Sequence, residues 1–150
     1  MKLNRRSMEV RMMSKTAVIY WSGTGNTEAM AKAVAEGAGA RLFTVSEISA
    51  GEAAGYDRLA LGCPAMGAEV LEEGEFEPFF TALEGRLSGK KLALFGSYGW
   101  GDGQWMRDWY ERAEGAGADL CGDEGLILNE TPDAAGLEAC KALGAELAAG

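Results

Sequence analysis

Histidine is absent from this 150-residue chain. That removes imidazole as a general base, as the centre of a Ser-His-Asp triad and as a metal ligand. Cysteine is scarce: Cys63, Cys121 and Cys140, with no C-x-x-C pair. Three thiols cannot build a four-cysteine iron–sulfur site or a zinc ribbon within one chain. With no disulfide framework, they predict a reducing, cytoplasmic setting. No apolar run approaches the roughly 18 residues of a membrane span. Met1 to Met13 carries charges but no apolar stretch, so it does not read as a secretory signal. Basic residues are outnumbered, 14 Lys and Arg against 23 Asp and Glu, for a net charge of −9. Since Lys2, Arg5, Arg6 and Arg11 cluster at the start, the rest is more acidic still. Nucleic-acid binders need a basic footprint; this surface suits basic protein partners instead. Residues 1–13 are read as an N-terminal extension and 14–150 as one domain, long enough for a core of its own.

Along that domain, short apolar runs alternate with helical patterns. Strands are expected at Ala17–Tyr20, Arg41–Val45, Asp57–Gly62, Lys91–Phe95 and Leu120–Leu128, the last broken near Gly122. Helices follow from about Glu28, Phe76, Trp105 and Leu137, with apolar residues at three- and four-residue spacing. Gly51–Gly55 and Gly96–Gly103 read as loops. Five strands alternating with helices predict a three-layer α/β/α, doubly wound, parallel sheet covered on both faces. Such sheets bind ligands beyond the carboxyl ends of their strands. Three unusual loops fall there.

The first is Trp21-Ser22-Gly23-Thr24-Gly25-Asn26-Thr27, between the first strand and the first helix. A Gly/hydroxyl loop opening a helix is an anion cradle, because free backbone N–H groups and the positive end of the helix dipole meet there. It lacks the Lys of a nucleotide triphosphate loop, so it suits a single terminal phosphate. The second is Cys63-Pro64-Ala65-Met66-Gly67-Ala68-Glu69. Met66 can cover a flat ring, the Gly67–Ala68 peptide can turn cheaply, and Glu69 can accept a ring N–H. The third is Gly96-Ser97-Tyr98-Gly99-Trp100-Gly101-Asp102-Gly103, with two aromatics among four glycines. Trp100 is expected as a stacking platform, Trp105 and Trp109 as core.

These three segments resemble those of a short-chain flavodoxin. The resemblance spans roughly Thr16 to Leu147 and rests on YWSGTGNT at 20–27, AMGAEVLEEGEFEPF at 65–79 and GSYGWGDGQWMRDW at 96–109. The fifth strand carries no insertion of about twenty residues, as in the short type. The resemblance implies strand order 2-1-3-4-5 and non-covalent FMN. It implies a low-potential one-electron carrier that shuttles between flavin semiquinone and hydroquinone and is not itself an enzyme. The phosphate would sit on Ser22, Gly23, Thr24, Gly25, Asn26 and Thr27, with Trp21 alongside. The ring would lie between Met66 and Trp100, with Glu69 on the ring N3–H. Pro64, Ala65, Gly67, Ala68, Ser97, Tyr98, Gly99, Gly101 and Asp102 would complete the cofactor contacts. Two positions depart from the family pattern: Pro64 stands where Ser is frequent, and Ala68 where Asp is. Expected partners are basic-surfaced reductases and ferredoxin-dependent oxidoreductases, docking through Glu69, Glu72, Glu73 and Asp102, with the carrier a monomer. A flavin quinone or NAD(P)H reductase of the same fold is the alternative, although the chain is short and shows no second dinucleotide motif. A flavin-free receiver domain fits less well, since no acidic pair follows the first strand.

Overall fold

In the computed structural model, residues 16–149 are described. The expected extension over residues 1–13 and the domain start at Ser14 lie outside them. The elements are β1 (Thr16–Tyr20), α1 (Asn26–Ala38), β2 (Arg41–Thr44), α2 (Ala50–Ala53), β3 (Arg58–Gly62), α3 (Phe76–Glu84), β4 (Lys91–Tyr98), α4 (Gln104–Gly115), β5 (Asp119–Leu120), β6 (Leu126–Asn129) and α5 (Ala134–Ala149). All the strand pairings are parallel, in the order β2-β1-β3-β4-β5, with β6 also on β4. The fifth position of the sheet is thus two short pieces side by side in sequence, separated at 121–125, as the break near Gly122 suggested.

Alternation along each strand divides two cores. Ala17, Ile19, Leu59, Leu61, Leu92 and Leu94 face α3 and α4, where Phe76, Phe80, Trp105 and Trp109 are buried. Val18, Tyr20, Ala60, Ala93 and Phe95 face α1 and α5. A strand buried on both faces must be apolar at consecutive positions, which is why these runs carry no polar alternation. On the second face the helices meet backbone to backbone. A methyl group at Gly37 would strike the Lys141 carbonyl, and one at Gly144 the Val34 carbonyl.

Two expectations change. Gly51–Gly55 overlaps the one-turn helix α2, started by a reciprocal cap: Ser49 Oγ accepts from Glu52 N–H and Glu52 Oε1 from Ser49 N–H, both at 3.1 Å. Gly96-Ser97-Tyr98 is strand, not loop. β6 pairs with Phe95–Tyr98 on one side. On the other, Cys63 and Ala65 N–H donate to the Phe95 and Ser97 carbonyls. Gly96 is glycine because its neighbours crowd it, with the Cys63 carbonyl and the Trp105 ring where a Cβ would project.

Candidate functional site

The carboxyl ends of β1, β3, β4 and β6 surround a cleft of about 420 Å³. Its walls are Trp21, Gly23, Thr24 and Asn26 from the first loop, Pro64 to Gly67 from the second, Ser97, Tyr98 and Gly99 from β4, and Glu130 after β6. Eleven of the nineteen expected site residues therefore line one space. Glu130 was missed by the sequence reading. It lies just beyond the fifth strand, on the same edge as the three loops, and its backbone is left-handed at φ 55°. Its N–H donates to the Tyr98 carbonyl at 2.7 Å.

The first loop leaves a row of backbone donors free. Ser22 Oγ accepts from the N–H groups of Gly25 and Glu28, at 3.1 and 3.2 Å. That folds the loop over the start of α1. The N–H groups of Ser22, Gly23, Thr24, Asn26 and Thr27 make no hydrogen bond among the described residues. Five unclaimed donors at a helix N-terminus fit an anion, not a cation. A recess of about 480 Å³ lies behind the same loop, bounded by Glu28, Glu75, Thr44 and Ser46. Although larger, it is acidic and would repel a phosphate. Trp21 is held there by its Nε1–H on Glu75 Oε1 at 3.2 Å. Tyr20 donates to Glu28 at 3.2 Å; burial and that carboxylate push its phenol above the ordinary value.

Thr27 plays a different part from the other loop residues. Its side chain is buried, and its Oγ1 lies 2.8 Å from Ser97 Oγ and accepts from Ser97 N–H at 3.4 Å. Two hydroxyl hydrogens serve one shared contact, so one remains for an acceptor in the cleft. The pair also locks the first loop to the end of β4.

The second loop is a tight turn. Glu69 N–H donates to the Met66 carbonyl at 2.7 Å, and Met66 N–H to Val70 carbonyl at 3.0 Å. Neither Gly67 nor Ala68 has positive φ, while Glu69 does, at 53°. Turning the central peptide of a β-turn from type I to type II moves the third residue to positive φ. That residue is Ala68, so the demand falls on an alanine and not on the glycine. Cys63 begins the loop; burial pushes its thiol up to about 12, which keeps it neutral. Glu72 ends it by capping α3, its carboxylate accepting from the N–H groups of Gly74, Glu75 and Phe76 at 2.7–2.8 Å. Burial raises its affinity for a proton, yet the three backbone donors outweigh this and hold the carboxyl below the usual value.

The remaining expected residues stand outside the cleft wall. Trp100 is 64% exposed, which fits a stacking platform and not a core plug. Trp105 and Trp109 are buried, as expected. Ala68 and Gly101 are exposed. Asp102 is engaged by Arg107 at 3.0 Å. Glu69 turns its carboxylate against Gly101, whose φ is +89°; a Cβ there would lie 2.5 Å from Glu69 Oε1. That oxygen is buried without a hydrogen-bond partner.

A parallel sheet in this order, with an uncharged loop of free backbone donors at the cleft, defines a doubly wound α/β protein whose site fits a phosphorylated ligand. The flavodoxin family profile matches residues 18–144. The flavodoxin of Clostridium beijerinckii is 50% identical over 123 residues, 79% of this chain and 88% of that protein. That of Megasphaera elsdenii is 50% identical over 132 residues, 85% of this chain and 93% of that one. The solution structure of two-electron reduced Megasphaera elsdenii flavodoxin superposes with a TM-score of 0.81 at 44% identity, covering 90% and 99% of the two chains. The chain belongs to the flavodoxin family. It is an FMN-binding electron carrier, and the reductase alternative is not favoured.

Proposed function

We propose that FMN binds non-covalently with its phosphate on the cradle Ser22–Thr27 and its ring beside Met66, Tyr98 and Trp100. The observation that carries this is the set of five unclaimed backbone N–H groups at the start of α1, in a loop with no cation. Neutral donors bind an anionic oxygen with roughly twice the strength of a neutral one. Ser22 and Thr24 hydroxyls and the spare hydrogen of the Thr27–Ser97 pair add to them. Pro64 contributes no hydroxyl and no N–H, so the phosphate relies on the first loop. Bound FMN supplies the redox chemistry, taking and releasing electrons one at a time. The protein holds it, covers part of the ring with Met66, and leaves an edge open near Trp100. Glu69 Oε2 is the acceptor for the ring N3–H.

Partners are redox enzymes with basic surfaces, reductases and ferredoxin-dependent oxidoreductases. The net charge of −9 supports this. Three buried free thiols support a cytoplasmic site. No helix among the described residues is long and apolar enough to cross a membrane. Among them only Val70 and Trp100 are large exposed hydrophobics, which supports a monomer.

Titration of flavin-free protein with FMN and with riboflavin, followed by flavin fluorescence, tests the reading. One FMN per chain is expected. Riboflavin, lacking the phosphate, should bind about a hundredfold more weakly or worse, the weight of two charge-assisted hydrogen bonds. Equal affinity for the two would refute the cradle as the phosphate site.

A further inference from the structure

Among the described residues, two buried side-chain polar atoms lack a hydrogen-bond partner: Glu69 Oε1 and Trp109 Nε1. One is an acceptor and the other a donor. Both side chains line the same cavity, about 130 Å³, between α4 and the loop that leads into α3. Buried polar atoms are rarely left unpaired, and an orphan asks for a partner. Two complementary orphans on one small cavity ask for the same one.

The walls explain why no protein group answers. Trp105, one turn earlier on α4, donates its Nε1–H to the Cys63 carbonyl at 3.1 Å. Trp109 is instead fixed by Phe76 and Phe80, edge to face at 5.4 and 5.9 Å. Arg112 lines the cavity, but its guanidinium is committed to Glu77, Glu84 and Thr81. Glu69 cannot swing away freely, since its backbone is left-handed and its carboxylate rests on Gly101.

We propose that an ordered water in this cavity accepts from Trp109 Nε1–H and donates to Glu69 Oε1. Water needs two to four polar partners and room for one water-sized sphere, roughly 10–15 Å³; the cavity has the room, and the two orphans sit on side chains of its wall. Trp109 is thereby a positioning residue. It holds Oε1 inward and so fixes the side-chain rotamer that decides where Oε2 points. This role rests on the reading of Glu69 as the acceptor for the flavin ring; the water bridge itself does not.

The test uses FMN-loaded protein labelled with 15N at tryptophan. Trp109→Phe keeps the aromatic packing, removes the donor and identifies the Trp109 indole signal. That signal should show a cross-peak to a long-lived water and should move in Glu69→Gln. A signal with no water cross-peak, unmoved by Glu69→Gln, would overturn the bridge and place the N–H against the Phe76 or Phe80 ring. FMN affinity then reads the positioning. Each single variant should raise Kd about three- to tenfold, and the double variant by clearly less than the product of the two. A full product would overturn the positioning role. If Glu69→Gln alone left Kd at its native value, the ring-facing reading would fall and the positioning with it. The bridge would then stand or fall on the cross-peak alone.

Discussion

Thr27 shows how one side chain can serve fold and site together. Its hydroxyl is buried and joins the loop after β1 to the end of β4 through Ser97 Oγ and N–H. Valine has the same shape without the oxygen, so Thr27→Val strands a buried hydroxyl and a backbone N–H. A loss of about 1–3 kcal/mol is expected in urea unfolding of the flavin-free protein, with Thr27→Ser near wild type. A valine variant as stable as wild type would mean that the pair contributes nothing. Sequence reading placed Thr27 in the cradle by its neighbours; that its oxygen turns inward depended on Ser97, 70 positions away. At Ala68 the physical demand was likewise invisible, because turn type decides which residue must take positive φ.

At the level of elements, α3 and α4 are joined by one guanidinium. Arg112 grips Glu77 with two bonds at 2.7–2.8 Å and Glu84 with two at 3.0 Å, above the Phe80 ring. Its hydrogen bonds, opposed by partial burial, hold the Glu77 carboxyl below the usual 4.5. A depressed carboxyl stabilises the fold above its unfolded value and loses that contribution as pH falls through its folded value. Arg112→Ala should therefore cost about 1–2 kcal/mol at neutral pH, and the deficit should shrink at about pH 3.5. Urea midpoints at the two pH values check this; a deficit independent of pH would assign the cost to lost packing alone. Strand and helix positions were legible from apolar periodicity, because burial on both faces leaves a continuous signal. The misreadings had local causes. Glycine at 96 marks crowding, not a turn, and the Ser49/Glu52 cap outweighs the glycines at 51 and 55.

Over the whole molecule, the proposed docking to basic-surfaced redox enzymes is a matter of charge. Of the four acidic residues expected in the docking patch, Glu72 is occupied as a helix cap, Asp102 by Arg107, and Glu69 turns one oxygen inward. Glu73 is exposed and makes no ion pair among the described residues. Electron delivery to a ferredoxin-dependent oxidoreductase should slow by about tenfold or more between low and high salt. Glu73→Lys should lower the low-salt rate about two- to fivefold without changing FMN affinity. Stopped-flow rates that ignore both salt and Glu73 would remove the acidic docking surface.

The amino-acid order alone determined the layers and the parallel sheet through double-sided burial. It also determined the proposed phosphate cradle, because strand, Gly/hydroxyl loop and helix start are contiguous in the chain and need no distant partner. Only the tertiary structure decided what depends on contacts between remote segments. It brought Glu130 to the cleft, turned Glu69 onto Gly101, set Trp109 beside the same cavity and committed Arg112 to α3. Local periodicity records which face is buried, but it carries no information about which distant atom a buried polar group will meet.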